Sequence, residues 1–234
     1  MSIAENLSAI HKRIIAVAAR AGRRPDHIAL MAVTKTHPAE LIIEAYNAGH
    51  RLFGENRVQE FAEKVDALGN LRDADFHMIG HLQSNKAGKA VEVFHAVDSL
   101  DSAKLGERLN AAAGKTGKIV SALIEINIGG EEAKSGIAPG SPELEEILRA
   151  APEWSHLRVK GLMTVPPFTE DPEGARPYFR RLRELRDNLA ARKLPAASFE
   201  QLSMGMSHDF EVAIEEDSTC VRVGTAIFGE RPKA

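Results

Sequence analysis

One lysine in this sequence follows directly on a buried apolar segment, a position where an amine can become reactive. Residues 28–33 form a short apolar run that predicts a buried strand, and Lys35 comes two residues after it. Because side chains alternate along a strand, Lys35 shares a face with Met31 and Val33. If that face is enclosed, desolvation lowers the pKa of the amine and suits it to forming a Schiff base with an aldehyde. The simpler alternative is a lysine that extends from the strand end into water, and Lys35 taken alone favours it.

Two segments of small residues near the C-terminus have the composition of anion-binding turns. The first, residues 203–207, reads Ser-Met-Gly-Met-Ser and leads into a predicted helix, so it offers backbone N–H groups and a hydroxyl. The second is Gly224-Thr225. Either segment alone is also compatible with a plain tight turn, which glycine favours for conformational reasons.

Short apolar strands alternate with helices along the whole chain. The strands are predicted at 28–33, 51–53, 75–79, 94–97, 119–126, 157–162, 199–202 and 219–223. Helices are predicted at 38–48, 57–68, 85–92, 102–113, 142–150, 172–192 and 208–215, and an extra amphipathic helix precedes the first strand. Eight such units in 234 residues predict one domain, residues 1–234, with the α/β architecture of a (β/α)8 TIM barrel. A doubly wound open sheet is the alternative, but the sequence has no Gly-rich dinucleotide turn.

The barrel prediction brings the lysine and the two turns to the same rim. Functional residues of such barrels lie at the C-terminal ends of the strands, and phosphate often binds to the loops after the seventh and eighth strands. Lys35 follows the first strand, and the two turns follow the seventh and the eighth. A ligand with both a phosphate and an aldehyde, opposite a lysine, points to pyridoxal 5′-phosphate (PLP). A phosphate-binding barrel that never binds PLP is a less favoured alternative.

Longer motifs in the sequence resemble those of the pyridoxal phosphate homeostasis protein family. They are AVTK (32–35), FGENRVQE (53–60), FHMIGHLQSNK (76–86), GLM (161–163), LSMGMSHD (202–209) and RVGTAIFG (222–229). These motifs cover nearly the whole chain in order. The resemblance implies the fold of the alanine racemase N-terminal barrel, which is PLP fold type III.

The resemblance also implies a set of cofactor-binding residues. Lys35 would hold PLP covalently as an aldimine. The phosphate would be bound by Ser207, Gly224 and Thr225, in a loop shaped by Ser203, Met204, Gly205 and Met206. Arg222 would face the pyridine nitrogen, Asn56 would lie near the 3′-hydroxyl, and His77 and Met163 would line the pocket. No catalytic or metal-binding residue is implied.

Arg222 favours a carrier over an enzyme. A permanent cation beside the pyridine nitrogen keeps it unprotonated, which weakens the cofactor as an electron sink. Racemases of this fold add a second base, which is a tyrosine from a C-terminal β-domain. This chain ends five residues after Gly229, and its two tyrosines, Tyr46 and Tyr178, fall in predicted helices. We therefore expect a non-catalytic PLP carrier that maintains the intracellular PLP level. A weak PLP-dependent amino-acid racemase, with Lys35 as one base, is the alternative.

Composition excludes several other classes of protein. The chain has 30 Lys+Arg and 33 Asp+Glu, a net charge of −3, without the basic cluster that a nucleic-acid partner would require. Its single cysteine, Cys220, excludes a disulfide framework. We find no signal peptide and no apolar stretch of membrane-spanning length, and so expect a cytoplasmic monomer whose partners are PLP and apo forms of PLP-dependent enzymes. The charges of loop 129–136, after the fifth strand, are interpreted as a solvated, mobile rim.

Overall fold

A computed structural model describes residues 2–69, 71–131 and 134–230, and these form a closed barrel of parallel strands. The strands are β1 (Ala29–Val33), β2 (Leu52–Glu55), β3 (Asp75–Met78), β4 (Ala96–Leu100), β5 (Val120–Glu125), β6 (Leu157–Met163), β7 (Ala197–Met206) and β8 (Cys220–Val223). Each strand pairs with the next, and β8 closes the barrel on β1, where Arg222 lies opposite Met31. The TIM-barrel prediction is confirmed.

Helices surround the barrel, and one of them precedes the first strand as expected. In the described residues they are α1 (Ile3–Arg20), α2 (Ala39–Asn47), α3 (Val58–Leu68), α4 (Ala87–Val93), α5 (Ala103–Thr116), α6 (Pro142–Ala150), α7 (Arg176–Ala191), α8 (Phe210–Glu215) and α9 (Thr225–Phe228). The first helix begins with a capping box, in which Ser2 and Glu5 each accept a hydrogen bond from the other's backbone N–H. It packs against α2, α8 and α9.

Alternation along β1 separates the two sides of the sheet. Leu30 and Ala32 pack in the core between the strands and the helices. Met31 and Val33 face the barrel interior, and Val33 reaches a cavity at the C-terminal ends of the strands. The face predicted to carry Lys35 is therefore the enclosed one.

Two predicted strand boundaries are wrong, for packing reasons. The seventh strand was predicted to end at residue 202, but β7 continues to Met206, because residues 203–205 are buried and pair with β8 at Ser203 and Met206. The fourth was predicted at 94–97, but Phe94 caps the C-terminus of α4 and β4 runs from Ala96 to Leu100. The predicted turn at 203–207 is therefore mostly strand.

Helical segments of the described residues contain no window of the length and hydropathy needed to cross a membrane.

Candidate functional site

A cavity of about 480 Å³ opens at the C-terminal ends of the strands. It is the pocket that the barrel prediction requires, because Lys35 enters it from β1 and the two small-residue segments enter it from β7 and β8. Of the predicted cofactor-binding residues, those that line it are Lys35, Asn56, Met206, Ser207, Arg222, Gly224 and Thr225.

The backbone on both sides of Lys35 is held by a hydrogen-bonded network, buried at Thr34 and Glu55 and partly exposed at Glu60, that the sequence did not reveal. Thr34 donates its hydroxyl to Glu55 Oε1 at 2.8 Å, and the N–H of Thr36 donates to Glu60 Oε1 at 2.8 Å. Lys64 Nζ joins the two carboxylates, at 3.0 Å from Glu55 and 2.9 Å from Glu60. Thr36 has a φ of 67°, a left-handed conformation that costs a threonine energy. The network holds this turn and so sets the direction in which Lys35 enters the pocket.

The two predicted phosphate-binding segments meet at one hydrogen bond. The N–H of Gly224 donates to Ser207 Oγ at 3.3 Å. Thr225 follows as the first residue of α9, where N–H groups have no partner within the helix. Gly205 has a φ of +93°, and a Cβ there would lie 2.5 Å from that of Ala213, so only glycine allows α8 to pack this closely.

Arg222 supplies a buried positive charge at the pocket. The residue is 4% exposed, and its guanidinium donates from Nη1 to Ser203 Oγ and from Nη2 to the carbonyl of Thr164, both at 2.6 Å. Burial lowers the pKa of Arg222, and the carboxylates of Asp98 and Glu125 oppose that effect. Because the ordinary pKa of a guanidinium is so high, Arg222 stays charged.

Asn56 brings a buried acceptor to the same pocket. Its Oδ1 is buried and has no hydrogen-bond partner among the described residues. Gly80 allows this placement, because a Cβ at position 80 would lie 2.4 Å from the carbonyl oxygen of Asn56. Since a buried polar atom without a partner is costly, Asn56 is suited to accept a hydrogen bond from a ligand.

Among the polar residues that line the pocket, the sequence missed four: Glu125, Lys134, Ser135 and His208. Loop 129–136 was interpreted as a solvated surface, but Lys134 and Ser135 face the cavity, and the Ser135 hydroxyl donates to Glu125 Oε1 at 3.0 Å. Lys134 Nζ donates to the carbonyl of Pro166 at 3.1 Å. Residues 132 and 133 of this loop lie outside the described part of the chain. The one sequence signal for these residues is Glu125 itself, because a carboxylate inside a barrel is costly unless it has a partner or a ligand.

Other predicted site residues lie outside the pocket lining. Ser203, Met204, Gly205 and Met163 are buried behind it, and Ser203 reaches the site only through Arg222. His77 instead lines a second cavity, together with Asp98, Ala29 and Cys220. Ala29 and Cys220 begin β1 and β8, so this cavity is at the opposite, N-terminal mouth of the barrel. The geometry therefore separates His77 from the residues predicted to accompany it.

Comparison with known proteins matches this architecture. The model of the alanine racemase N-terminal domain family matches residues 6–232. The pyridoxal phosphate homeostasis protein of Aquifex aeolicus is 46% identical over 231 residues, 99% of each chain. That of Escherichia coli (strain K12) is 41% identical over 231 residues, 98% of this chain and 97% of the other. This chain belongs to the pyridoxal phosphate homeostasis protein family.

Solved structures of similar proteins agree with the family assignment. PipY of Synechococcus elongatus, solved with PLP bound, is 36% identical and superimposes with a TM-score of 0.84, over 97% of this chain and all of that one. An alanine racemase of Clostridium difficile superimposes with a TM-score of 0.74 at 15% identity, over 98% of this chain and 58% of the racemase. At that identity the racemase shows the fold alone.

Proposed function

We propose that this protein binds PLP reversibly at the C-terminal mouth of the barrel, holds it covalently on Lys35, and thereby maintains the cellular level of free PLP. The observation that carries the proposal is the convergence on one pocket of Lys35, the Ser207–Gly224 turn and Arg222. The PLP bound to PipY and the names of the similar homeostasis proteins support it. Apo forms of PLP-dependent enzymes are the proposed recipients.

The donors and acceptors of the pocket suit the groups of PLP. Ser207, Gly224 and Thr225 offer hydroxyl and backbone donors for a phosphate. The orphaned Oδ1 of Asn56 is an acceptor for a phenolic hydroxyl. When bound, PLP supplies an aldehyde that forms a covalent bond with an amine, with loss of one water, and a ring that can accept electrons. Addition of water reverses that bond, which is what a carrier requires.

We also propose that the protein does not catalyse turnover, because Arg222 is a poor partner for catalysis. A permanent cation disfavours a proton on a pyridine nitrogen beside it, and an unprotonated ring stabilises a carbanion less well. Tyr46 is engaged elsewhere, since its hydroxyl donates to the Asp73 carboxylate. Incubation with L-alanine or L-serine in D2O should give no α-deuteration that depends on Lys35. Deuteration abolished by Lys35→Ala would favour the racemase alternative.

The site on Lys35 is tested by trapping the bound cofactor. Protein incubated with PLP should show a visible absorption band, and borohydride reduction should fix a pyridoxyl group on the peptide that contains Lys35. Lys35→Ala should lose the band and the label. The matched control is Lys12→Ala, which removes an exposed lysine of α1 and should keep both.

Peptide mapping is needed because Lys134 lines the same pocket. A pyridoxyl label on Lys134 in the wild-type protein would contradict the role of Lys35. Absence of a visible absorption band at saturating PLP would contradict the assignment of PLP as the cofactor. The remaining interpretation would be a barrel that binds phosphate but not PLP.

A further inference from the structure

Glu125 is a buried carboxyl group of the pocket, and one of its two oxygens has no hydrogen-bond donor among the described residues. It ends β5, is 5% exposed and lines the cavity. Its Oε1 accepts the hydroxyl of Ser135, and its Oε2 is buried without a hydrogen-bond partner among the described residues. No ion pair joins Glu125 to a described lysine, arginine or histidine within 4 Å. An ionised oxygen in such a position is costly, because it has lost water and gained no donor.

Several charged groups surround Glu125, and they act in opposite directions. Burial raises the pKa of Glu125, and Asp101, which follows β4, adds to this effect. The Ser135 hydrogen bond, Arg222 and His81 lower it, but the net shift is upward. Lys35, Lys134 and His208 line the same cavity from β1, the rim loop and the turn after β7. A proton on Oε2 would give that buried oxygen a donor of its own, so the geometry suits the carboxylic acid form of Glu125.

The order of strands places Glu125 across the mouth from Lys35. In the closed barrel β5 is four strands away from β1 in either direction, so the two residues enter the cavity from opposite sides. A ligand that fills the cavity between them must pass within reach of both. A carboxylic acid can donate there, whereas a carboxylate could only accept and would repel a phosphate ester.

We propose that Glu125 contacts the bound cofactor as a neutral carboxylic acid and donates its proton in a hydrogen bond from the side opposite Lys35. This inference rests on the proposed function, since PLP is the ligand that would receive the hydrogen bond. Ionisation of Glu125 would remove the donor and add a negative charge. Affinity for PLP should therefore fall as the pH rises through the ionisation of Glu125, by up to about tenfold per pH unit.

The proposal is tested with Glu125→Gln, which keeps the shape and a donor but has no ionisation. The matched control is Glu107→Gln, the same change at an exposed carboxylate of α5 that does not line the cavity. The dissociation constant of PLP is measured from pH 6 to pH 10 in all three proteins. The infrared difference between ligand-free wild type and Glu125→Gln reports a protonated carboxyl group.

The expected result is a carboxylic-acid band at neutral pH and a wild-type affinity within about threefold of the Glu125→Gln value there. Above the pH at which the band disappears, PLP binding by the wild type should weaken relative to that by Glu125→Gln, while Glu107→Gln follows the wild type. Absence of the acid band, or binding by Glu125→Gln that is tenfold weaker at neutral pH, would overturn the proposal. If Glu125→Gln does not fold, the proposal is tested on the wild type alone. Its carboxylic-acid band should then disappear over the same pH range in which its affinity for PLP falls.

Failure of the proposed function would look different. A wild-type protein that binds no PLP at any pH refutes the carrier function and with it the contact, even if the acid band is present. A wild type that binds PLP but lacks the acid band refutes the role of Glu125 alone.

Discussion

The two mouths of the barrel both contain buried charged residues, but they leave different groups unsatisfied. At the C-terminal mouth, Asn56 Oδ1 and Glu125 Oε2 are buried and have no hydrogen-bond partners in the described structure. At the N-terminal mouth, where a cavity of about 580 Å³ opens, His77 is 3.1 Å from Asp98 and 3.3 Å from Asp75. A buried polar atom without a partner is suited to bind a ligand, because the ligand supplies the missing hydrogen bond. Charges that are already paired serve the stability of the fold, which is the usual role of the N-terminal face of such barrels. The comparison therefore supports the proposed binding site at the C-terminal mouth and a structural role for the His77 pair at the N-terminal mouth.

The pairing at the N-terminal mouth makes His77 a cation. Burial by itself would lower the pKa of His77, but the carboxylates of Asp98 and Asp75 outweigh it and raise the pKa from 6.5 to about 10. At neutral pH the imidazolium neutralises Asp98, which is 2% exposed. His77 therefore has the surroundings of a structural ion pair, whereas the family resemblance implied that it would line the cofactor pocket.

The largest effect should come from His77→Leu. The substitution leaves Asp98 as a buried carboxylate without its partner, and we expect the free energy of unfolding to fall by about 3–5 kcal/mol. PLP affinity should change much less than stability, because neither His77 nor Asp98 lines the C-terminal cavity and the charge of Asp98 reaches that cavity only through Arg222. Urea unfolding and equilibrium dialysis measure the two quantities.

His27→Leu is the matched control, since His27 lines the same cavity but is exposed. It should change the free energy of unfolding by less than about 0.5 kcal/mol. If His77→Leu leaves stability unchanged and abolishes PLP binding, the division between the mouths is wrong and His77 belongs to the cofactor site.

The pH dependence of stability should show the same ion pair. Because the folded pKa of His77 is raised to about 10 from an unfolded value near 6.5, its contribution is complete below pH 6.5 and is lost as the pH rises through 10. The loss amounts to about 1.4 kcal/mol per pH unit in that window. The stability difference between wild type and His77→Leu should therefore shrink from pH 7 to pH 10. A difference that stays constant over this range would show that His77 does not carry the charge.

The smallest effect should come from Ser207→Ala at the other mouth. It removes a phosphate donor and the acceptor of the Gly224 N–H, so PLP affinity should weaken by about five- to tenfold, equivalent to about 1 kcal/mol. Stability should change by less than about 0.5 kcal/mol, because Ser207 is only partly buried. Ser8→Ala, on the exposed face of α1, is the control and should change neither quantity. A stability loss without weaker binding would assign Ser207 to the fold.

Much of the fold and the centre of the site could be predicted because they depend on local patterns. Apolar runs of strand length, separated by helical periodicity, predicted the barrel, and parity along β1 predicted the enclosed face of Lys35. The boundaries of β7 could not be predicted, because Ser203 and Gly205 lack the composition of a strand. They are strand residues because β8 pairs with them and α8 covers them.

Glu125 and His77 show where local patterns stop being informative. Both are polar residues in predicted strands. The position of Glu125 near the end of its strand pointed to the C-terminal mouth, but nothing in the sequence showed that His77 would be paired and Glu125 would not. The hydrogen bond of Thr34 to Glu55 and the pairing of His77 with Asp98 each join neighbouring strands across 21 residues of chain. Such contacts exist only after those strands pair.

The sequence by itself determined the alternating strands and helices, the closed barrel they favour, and the types of residue placed after the first, seventh and eighth strands. Those properties follow from side-chain periodicity and turn chemistry, which act over a few residues. Only the tertiary structure decided which charges are paired and which remain unsatisfied, because solvation and hydrogen bonding depend on neighbours that the closed sheet brings together. That difference separates the mouth proposed to bind PLP from the mouth at which His77 and Asp98 are paired.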